Sequence, residues 1–155
     1  MAHQHYKGTG KMHSFRGLLA DGGQDKIRIQ GATGEIAWRI TKFQLMHDEP
    51  GEQHVESTVK VYREEQTTIN NNINFGDDEL LGASYLAESD NHENAVSITT
   101  IFDNALFSRN IYVTHQDTLA SRAINYYIEL EEVKVSAAGM AQLSVAAARR
   151  LGLNP

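Results

Sequence analysis

Residues 124–135, Ile-Asn-Tyr-Tyr-Ile-Glu-Leu-Glu-Glu-Val-Lys-Val, alternate apolar and polar side chains along nearly their whole length. Successive side chains of a strand point to opposite faces, so such a run has one face to bury and needs a second layer to bury it against. Ile124, Tyr126, Ile128 and Leu130 share one face, whereas Val133 and Val135 fall in the opposite parity. A period-2 strand absorbs that slip with one extra residue, which predicts a β-bulge at Glu131-Glu132. Tyr127 has the parity of Asn125 and Glu129 and is expected to face away from the core. Outward tyrosines are enriched at interfaces, although a single exposed one needs no special reason.

A helix is expected directly after this strand, over residues 136–151, with Ser136 as its N-cap. Met140, Leu143, Ala147 and Leu151 recur at helical spacing and form a narrow apolar stripe. Arg149 and Arg150 suit the negative end of the helix, and Gly152 suits the position just past it. Two readings stay open: the stripe packs on its own domain, or it docks on a neighbouring subunit.

The rest of the chain reads as short strands between turn signals. Residues 1–13 form a polar arm rich in Gly and His, expected to gain order only from a partner. Phe15–Ala20 and Lys26–Gln30 are strands joined by Asp21-Gly22-Gly23-Gln24, a predicted hairpin turn. A second hairpin is predicted through Gly31–Gly34 into Ile36, Trp38 and Ile40. The inward parity then switches before Phe43 and Leu45, which predicts a bulge near Thr41-Lys42. Val55–Tyr62, Val96–Phe102 and Asn110–His115 are further strands, and Asp77–Ala87 reads equally as a short capped helix or a strand. About eight short strands with few helical windows predict an all-β fold, a β-sandwich or jelly-roll-like barrel over residues 14–135 with a C-terminal helix over 136–155. Trp38, Phe43, Phe102, Ile128 and Leu130 are expected in its core.

With 155 residues and no cysteine, the chain suits one domain that needs no disulfide or Cys-ligated zinc. The net charge is −6 and the basic residues form no stripe, so a nucleic-acid partner is not expected. The apolar stretches are too short to span a bilayer and no signal peptide is read, so neither membrane association nor export is expected.

The candidate chemistry is thin. Gly8-Thr9-Gly10-Lys11 lacks the earlier glycine and the following Ser/Thr of a phosphate loop. His3, His5 and His13 suit a transition metal by type, but nothing nearby completes a ligand set. Asp77-Asp78-Glu79 and Asp90–Asn94 are oxygen-rich without EF-hand spacing. Ser84 lacks the second glycine of a nucleophile elbow, and His115 and Asp117 have no obvious nucleophile. Glu131 and Glu132 point to opposite faces of a regular strand. No catalytic residue, cofactor or metal site is therefore assigned, and the chain is read as non-enzymatic.

Ile101-Phe-Asp-Asn104, Asn110-Ile-Tyr-Val-Thr-His115 and Ile124–Glu131, with Val59-Lys-Val-Tyr62 and Asp77–Leu81, resemble segments of small structural or uncharacterised virion proteins of marine bacteriophages. The resemblance spans residues 42–135. It implies a capsid decoration or cement protein, or another head-associated part, located in the virion after synthesis in the host cytoplasm. Implied partners are other copies of the chain and the major capsid protein or other virion proteins. A tail or adaptor part is the alternative within that class, and a sandwich module binding carbohydrate or a cation is the alternative outside it. A closed homo-oligomer is expected, a trimer ahead of other symmetries, or else a monomer that becomes multimeric only on the shell. Candidate interface residues are His3, His5 and Tyr6 of the arm, Tyr127, and Met140, Leu143 and Leu151 of the helix.

Overall fold

A computed structural model describes residues 8–29, 35–51, 54–88 and 96–150. Along these run β1 (Gly8–Leu19), β2 (Gln24–Ile27), β3 (Ile36–His47), β4 (Val55–Tyr62), β5 (Leu80–Glu88), β6 (Val96–Phe102), β7 (Ile111–Asp117), β8 (Ile124–Lys134) and the helix α1 (Ala137–Arg150). The strands form two antiparallel sheets, one ordered β1-β8-β3 and the other β2-β7-β4-β5-β6. The arrangement is sandwich-like, not a closed barrel.

Alternation builds the core. Ile124, Tyr126, Ile128 and Leu130 of β8 meet Val59 and Val61 of β4 and Ile111 and Val113 of β7 in one buried cluster, which also takes Trp38, Phe43 and Leu45 of β3. Trp38, Phe43, Ile128 and Leu130 are buried as expected. Phe102 is only half-buried, because it lies on β6, which has a neighbouring strand on one side alone among the described residues.

The first predicted hairpin is not formed. β1 and β2 belong to different sheets, and the turn between them carries the chain across the sandwich. Gly22 supplies the positive φ of 75° that the turn needs. The turn is pinned to β7, however: Gly22 donates to the His115 carbonyl at 2.8 Å, and His115 donates to the Gly23 carbonyl at 3.1 Å. The second predicted hairpin fails in the same way, since β2 and β3 also lie in different sheets. Its Gly31–Gly34 turn lies outside the described residues.

β1 begins at Gly8, inside the segment read as a free arm. Its partner is β8 of the same chain, with Gly8 opposite Val133 and Met12 opposite Glu131. Thr9 Oγ1 donates to the Glu132 carbonyl at 3.2 Å, and His13 Nε2 lies 3.2 Å from Glu132 Oε1.

The two parity slips have different causes. In β3 the register shifts between Ile40 and Lys42, so Thr41 is the extra residue of a true bulge, as its sequence indicated. β8, in contrast, runs without a shift through Leu130↔Ile40, Glu131↔Arg39, Glu132↔Trp38 and Val133↔Ala37. The expected bulge at Glu131-Glu132 is absent. The pleat carries Val133 to the opposite face, where Ala37, Val133 and Val135 form a second small core with Leu106, Met140 and Leu143. The hydrophobic face changes sides because the helix covers the other side of the sheet there. Ser136 caps that helix, its Oγ accepting from the Gly139 amide at 3.1 Å.

Asp77–Ala87 resolves as a turn leading into β5. The outer face of β4 is buried as well. Lys60 Nζ donates to Asn70 Oδ1 at 3.1 Å and to the Asn72 carbonyl at 2.6 Å, so the Asn-rich connection 63–79 lies against this face. Burial holds the Lys60 ammonium below its ordinary pKa, against the opposing effect of Asp77.

Candidate functional site

The outer face of the three-stranded sheet carries a concavity. The register sets three rows across it: Leu18, Asn125 and Met46; Arg16, Tyr127 and Gln44; Ser14, Glu129 and Lys42. A groove of about 860 Å³ runs along the first two of these rows and the intervening Gly17, Phe43, Leu45 and Tyr126, with Ile98 and Thr100 of β6 also in its lining. Leu18 is 59% exposed, Met46 64% and Ile98 50%. Exposed apolar side chains gathered in one concavity differ from the singly scattered ones that any surface shows.

Polar groups give the groove an orientation. The Tyr127 hydroxyl donates to Glu129 Oε1 at 2.7 Å, and Lys42 Nζ stands 5.8 Å from the centre of the Tyr127 ring. That hydrogen bond, aided by burial, raises the Tyr127 phenol, which stays protonated at neutral pH. On the inner side, the Tyr126 hydroxyl crosses to the other sheet and donates to Asp25 Oδ2 at 2.9 Å. Its ring passes close to Gly17, where a Cβ would approach the ring to 3.0 Å. Gly17 thus lets Tyr126 reach its partner while β1 stays paired. Burial and then the Asp25 carboxylate push the Tyr126 pKa far up.

Leu18 and Met46 were not among the sequence candidates. A signal for them exists. Leu18-Leu19 and Leu45-Met46 are adjacent apolar pairs in strands, and both members of such a pair cannot face the core. Leu19 and Leu45 point inward and are buried, which leaves Leu18 and Met46 outside.

A second constellation lies at the strand ends around His115. Its Nε2 lies 3.0 Å from Ser57 Oγ, a pairing that spacing alone did not reveal. Its Nδ1 faces the carbonyls of Leu19 and Ala20 at 3.0 and 3.2 Å. Carbonyls only accept, so Nδ1 carries the proton and Nε2 accepts from the serine. Both residues are buried, with His115 at 0% exposure. Asp117 does not orient the histidine. Its Oδ1 accepts from the amides of Glu56, Leu119 and Ala120, and its Oδ2 from that of Arg122. The Ser–His pair therefore ties β1, β4 and β7 together and offers no open face to a substrate.

These groups set a pH dependence. Burial lowers the His115 pKa below its ordinary 6.5, outweighing the bonds to Ala20 and Leu19 and the carboxylates of Asp21 and Asp117. The unfolded chain thus takes up this proton before the folded one does. The stabilisation is complete above pH 6.5 and declines as pH falls below it. For Asp117, burial acts upward, but the amides of Leu119, Arg122, Ala120 and Glu56 together hold it below its ordinary 3.8. Its contribution is full above that value and is lost as pH falls further. The urea midpoint is expected to drop between about pH 7 and about pH 5.5, and His115→Gln is expected to flatten that segment of the profile. An unchanged slope in the variant would place the titrating group elsewhere.

The other candidates are placed as follows. Met140 and Leu143 pack against the Ala37–Val133–Val135 core of their own chain. Tyr127 sits in the groove. His3, His5, Tyr6 and Leu151 lie outside the described residues, as do Asp90–Asn94. Gly8-Thr9-Gly10-Lys11 is the start of β1. Ser84 Oγ pairs with Thr100 Oγ1 at 2.7 Å. Asp77 Oδ1 accepts from the Glu79 amide at 2.9 Å, closing the turn before β5. Glu131 is held by Arg39 at 2.6 Å, on the face opposite Glu132. Among the described residues, no three His, Asp or Glu side chains converge as a metal site, and no helix is long and apolar enough to cross a membrane. The chain matches no protein-family model, and no curated protein matches it.

Proposed function

We propose that this chain is a non-enzymatic structural protein of a phage virion, of the decoration or cement kind, which docks on the shell through the outer face of the three-stranded sheet. The observation that carries the reading is the groove: Leu18, Met46 and Ile98 are exposed together in one concavity, with Tyr127 in its lining. Apolar side chains around an amphipathic aromatic ring suit a protein surface better than turnover of a small substrate. The buried polar groups fit the same reading. Ser57, Lys60, His115 and Asp117 are all engaged in holding strands and loops. The resemblance of the strand segments to virion proteins supports a shell as the partner in this reading.

The test is to locate the chain in purified particles by mass spectrometry and electron cryo-microscopy. The groove face should lie against the shell, and Met46→Asp should reduce co-sedimentation with particles about tenfold or more, with the melting temperature nearly unchanged. A chain absent from particles, or seated by another face, overturns the reading.

A second reading has its own support. Arg16, Gln44, Asn125 and Tyr127 place hydrogen-bonding groups beside an aromatic ring, a combination suited to a carbohydrate. It ranks second because the groove presents one outward ring and not a row of them. Saccharide binding that is lost in Tyr127→Ala would favour it.

A further inference from the structure

Each sheet of this sandwich has two edges, and three of the four are protected. β1 carries Lys11 and Arg16 and is irregular between Gly8 and Met12. β3 carries Arg39 and Lys42, is bulged at Thr41, and is partly covered by Phe107, which exchanges backbone hydrogen bonds with Trp38. β2 is only four residues long and carries Asp25 and Lys26. Charges, bulges, coverage and shortness are the usual means of keeping a sheet edge from pairing with another chain.

Among the described residues, β6 has none of them. Its sequence, Val-Ser-Ile-Thr-Thr-Ile-Phe, has no charge and no proline, and its register against β5 runs unbroken from Val96 to Phe102. No described strand pairs with its other side. Ile98 and Ile101, on opposite faces of the strand, are 50% and 48% exposed. Asp103 donates to the Leu81 carbonyl at 2.9 Å in continuation of the β5–β6 ladder. Alternation along an antiparallel ladder then assigns Ser97, Thr99 and Ile101 to bonds with β5 and leaves the amides and carbonyls of Ile98 and Thr100 pointing outward.

We infer that β6 pairs antiparallel with β6 of a second copy, about a twofold axis at Thr99, joining two five-stranded sheets into one. The segment suits itself as partner. With Thr99 opposite Thr99, Ile98 faces Thr100, Ser97 faces Ile101 and Val96 faces Phe102, and every pair recurs across the axis. The outward groups of Ile98 bond those of Thr100 in the other copy. No like charges meet, because the strand has none. The half-exposed isoleucines of both copies gain cross-strand neighbours. The symmetry is twofold, in contrast to the trimer expected from sequence. The inference goes beyond the proposed docking on a shell and does not rest on it.

The pairing is tested on the full chain by sedimentation over a concentration series. Thr99 is exposed and lies outside the groove, so substitutions there leave the proposed docking face intact. The wild type is expected to show a concentration-dependent monomer–dimer equilibrium. Thr99→Lys sets two ammonium groups opposite one another and should raise the dissociation constant about fivefold or more. Thr99→Glu should do the same alone. An equimolar mixture of the two variants should dimerise at least as well as the wild type, which also shows that both are folded. A wild type that stays monomeric throughout overturns the inference. So does a dimer indifferent to Thr99→Lys, or a mixture that fails to recover.

Discussion

Trp38→Ala is expected to lower the unfolding free energy by about 4 kcal/mol, enough to move the thermal midpoint by roughly 10 °C in a domain of this size. The indole is buried in the main cluster, and the His13 ring meets it edge-on at 4.8 Å. The Trp38 backbone is also bridged to Phe107, with hydrogen bonds of 2.7 and 2.9 Å, and this bridge survives the substitution. The loss is therefore of packing: lost transfer free energy plus the cavity left where the ring was. Trp38→Phe separates the two contributions of the indole. Its Nε1 is buried and has no hydrogen-bond partner among the described residues. Phenylalanine keeps most of the contact and removes an unpaired donor, so the cost should fall to about 1.5 kcal/mol or less. Urea titrations give both numbers. A Trp38→Ala loss under about 1 kcal/mol would mean that the site collapses around the missing ring and that the strand ends are more plastic than their packing indicates.

Much of this architecture was legible in the sequence, and the failures share a cause. β4 and β6 begin and end where alternation and turn residues put them, because each is flanked by polar breakers and its inward face is regular. The Thr41 bulge was legible because one face is buried on both sides of it, so a parity change had to come from an inserted residue. The same logic failed at Val133, since there the covered face changes instead. Parity reports which side is apolar, but does not say whether the core or the helix makes it so. The two missed hairpins are a similar case. Asp21-Gly22-Gly23 fixes a reversal of the chain, while the sheet that each strand joins is decided by distant contacts such as those of His115 with the turn. Ser57, Lys60 and His115 look like solvated positions in a list of residue types, yet each is buried with a specific partner. Partners across 58 positions, as for Ser57 and His115, leave no spacing signal. The groove was visible only indirectly, as two pairs of adjacent apolar residues that cannot both face inward.

Asp117→Ala is expected to cost about 3 kcal/mol, a large loss for a residue that touches no apolar core. Its carboxylate organises a whole end of the sandwich. It accepts amide protons from Leu119 and Arg122, each at 2.9 Å, and from Ala120 and Glu56, each at 3.3 Å. Three of these amides belong to the connection between β7 and β8. Within it Ser121 sits at φ 53°, a left-handed conformation that favours glycine, held between two residues bonded to the same carboxylate. Arg122 carries the restraint onward, since its guanidinium reaches Asp48 at 3.1 Å and Glu49 at 3.0 Å in the connection that follows β3. Removing the carboxylate leaves several amides without an acceptor and frees Ser121 to relax, so the connection should lose hydrogen-exchange protection before the core does. Asp117→Asn is the sharper comparison. Its one remaining carbonyl can still serve Glu56, Leu119 and Ala120, but its amide group would face the Arg122 amide, donor against donor. About half of the alanine loss is expected, with protection lost first at Arg122. Equal losses in the two variants would show that the charge, and not the arrangement of its acceptors, holds this end of the sandwich together.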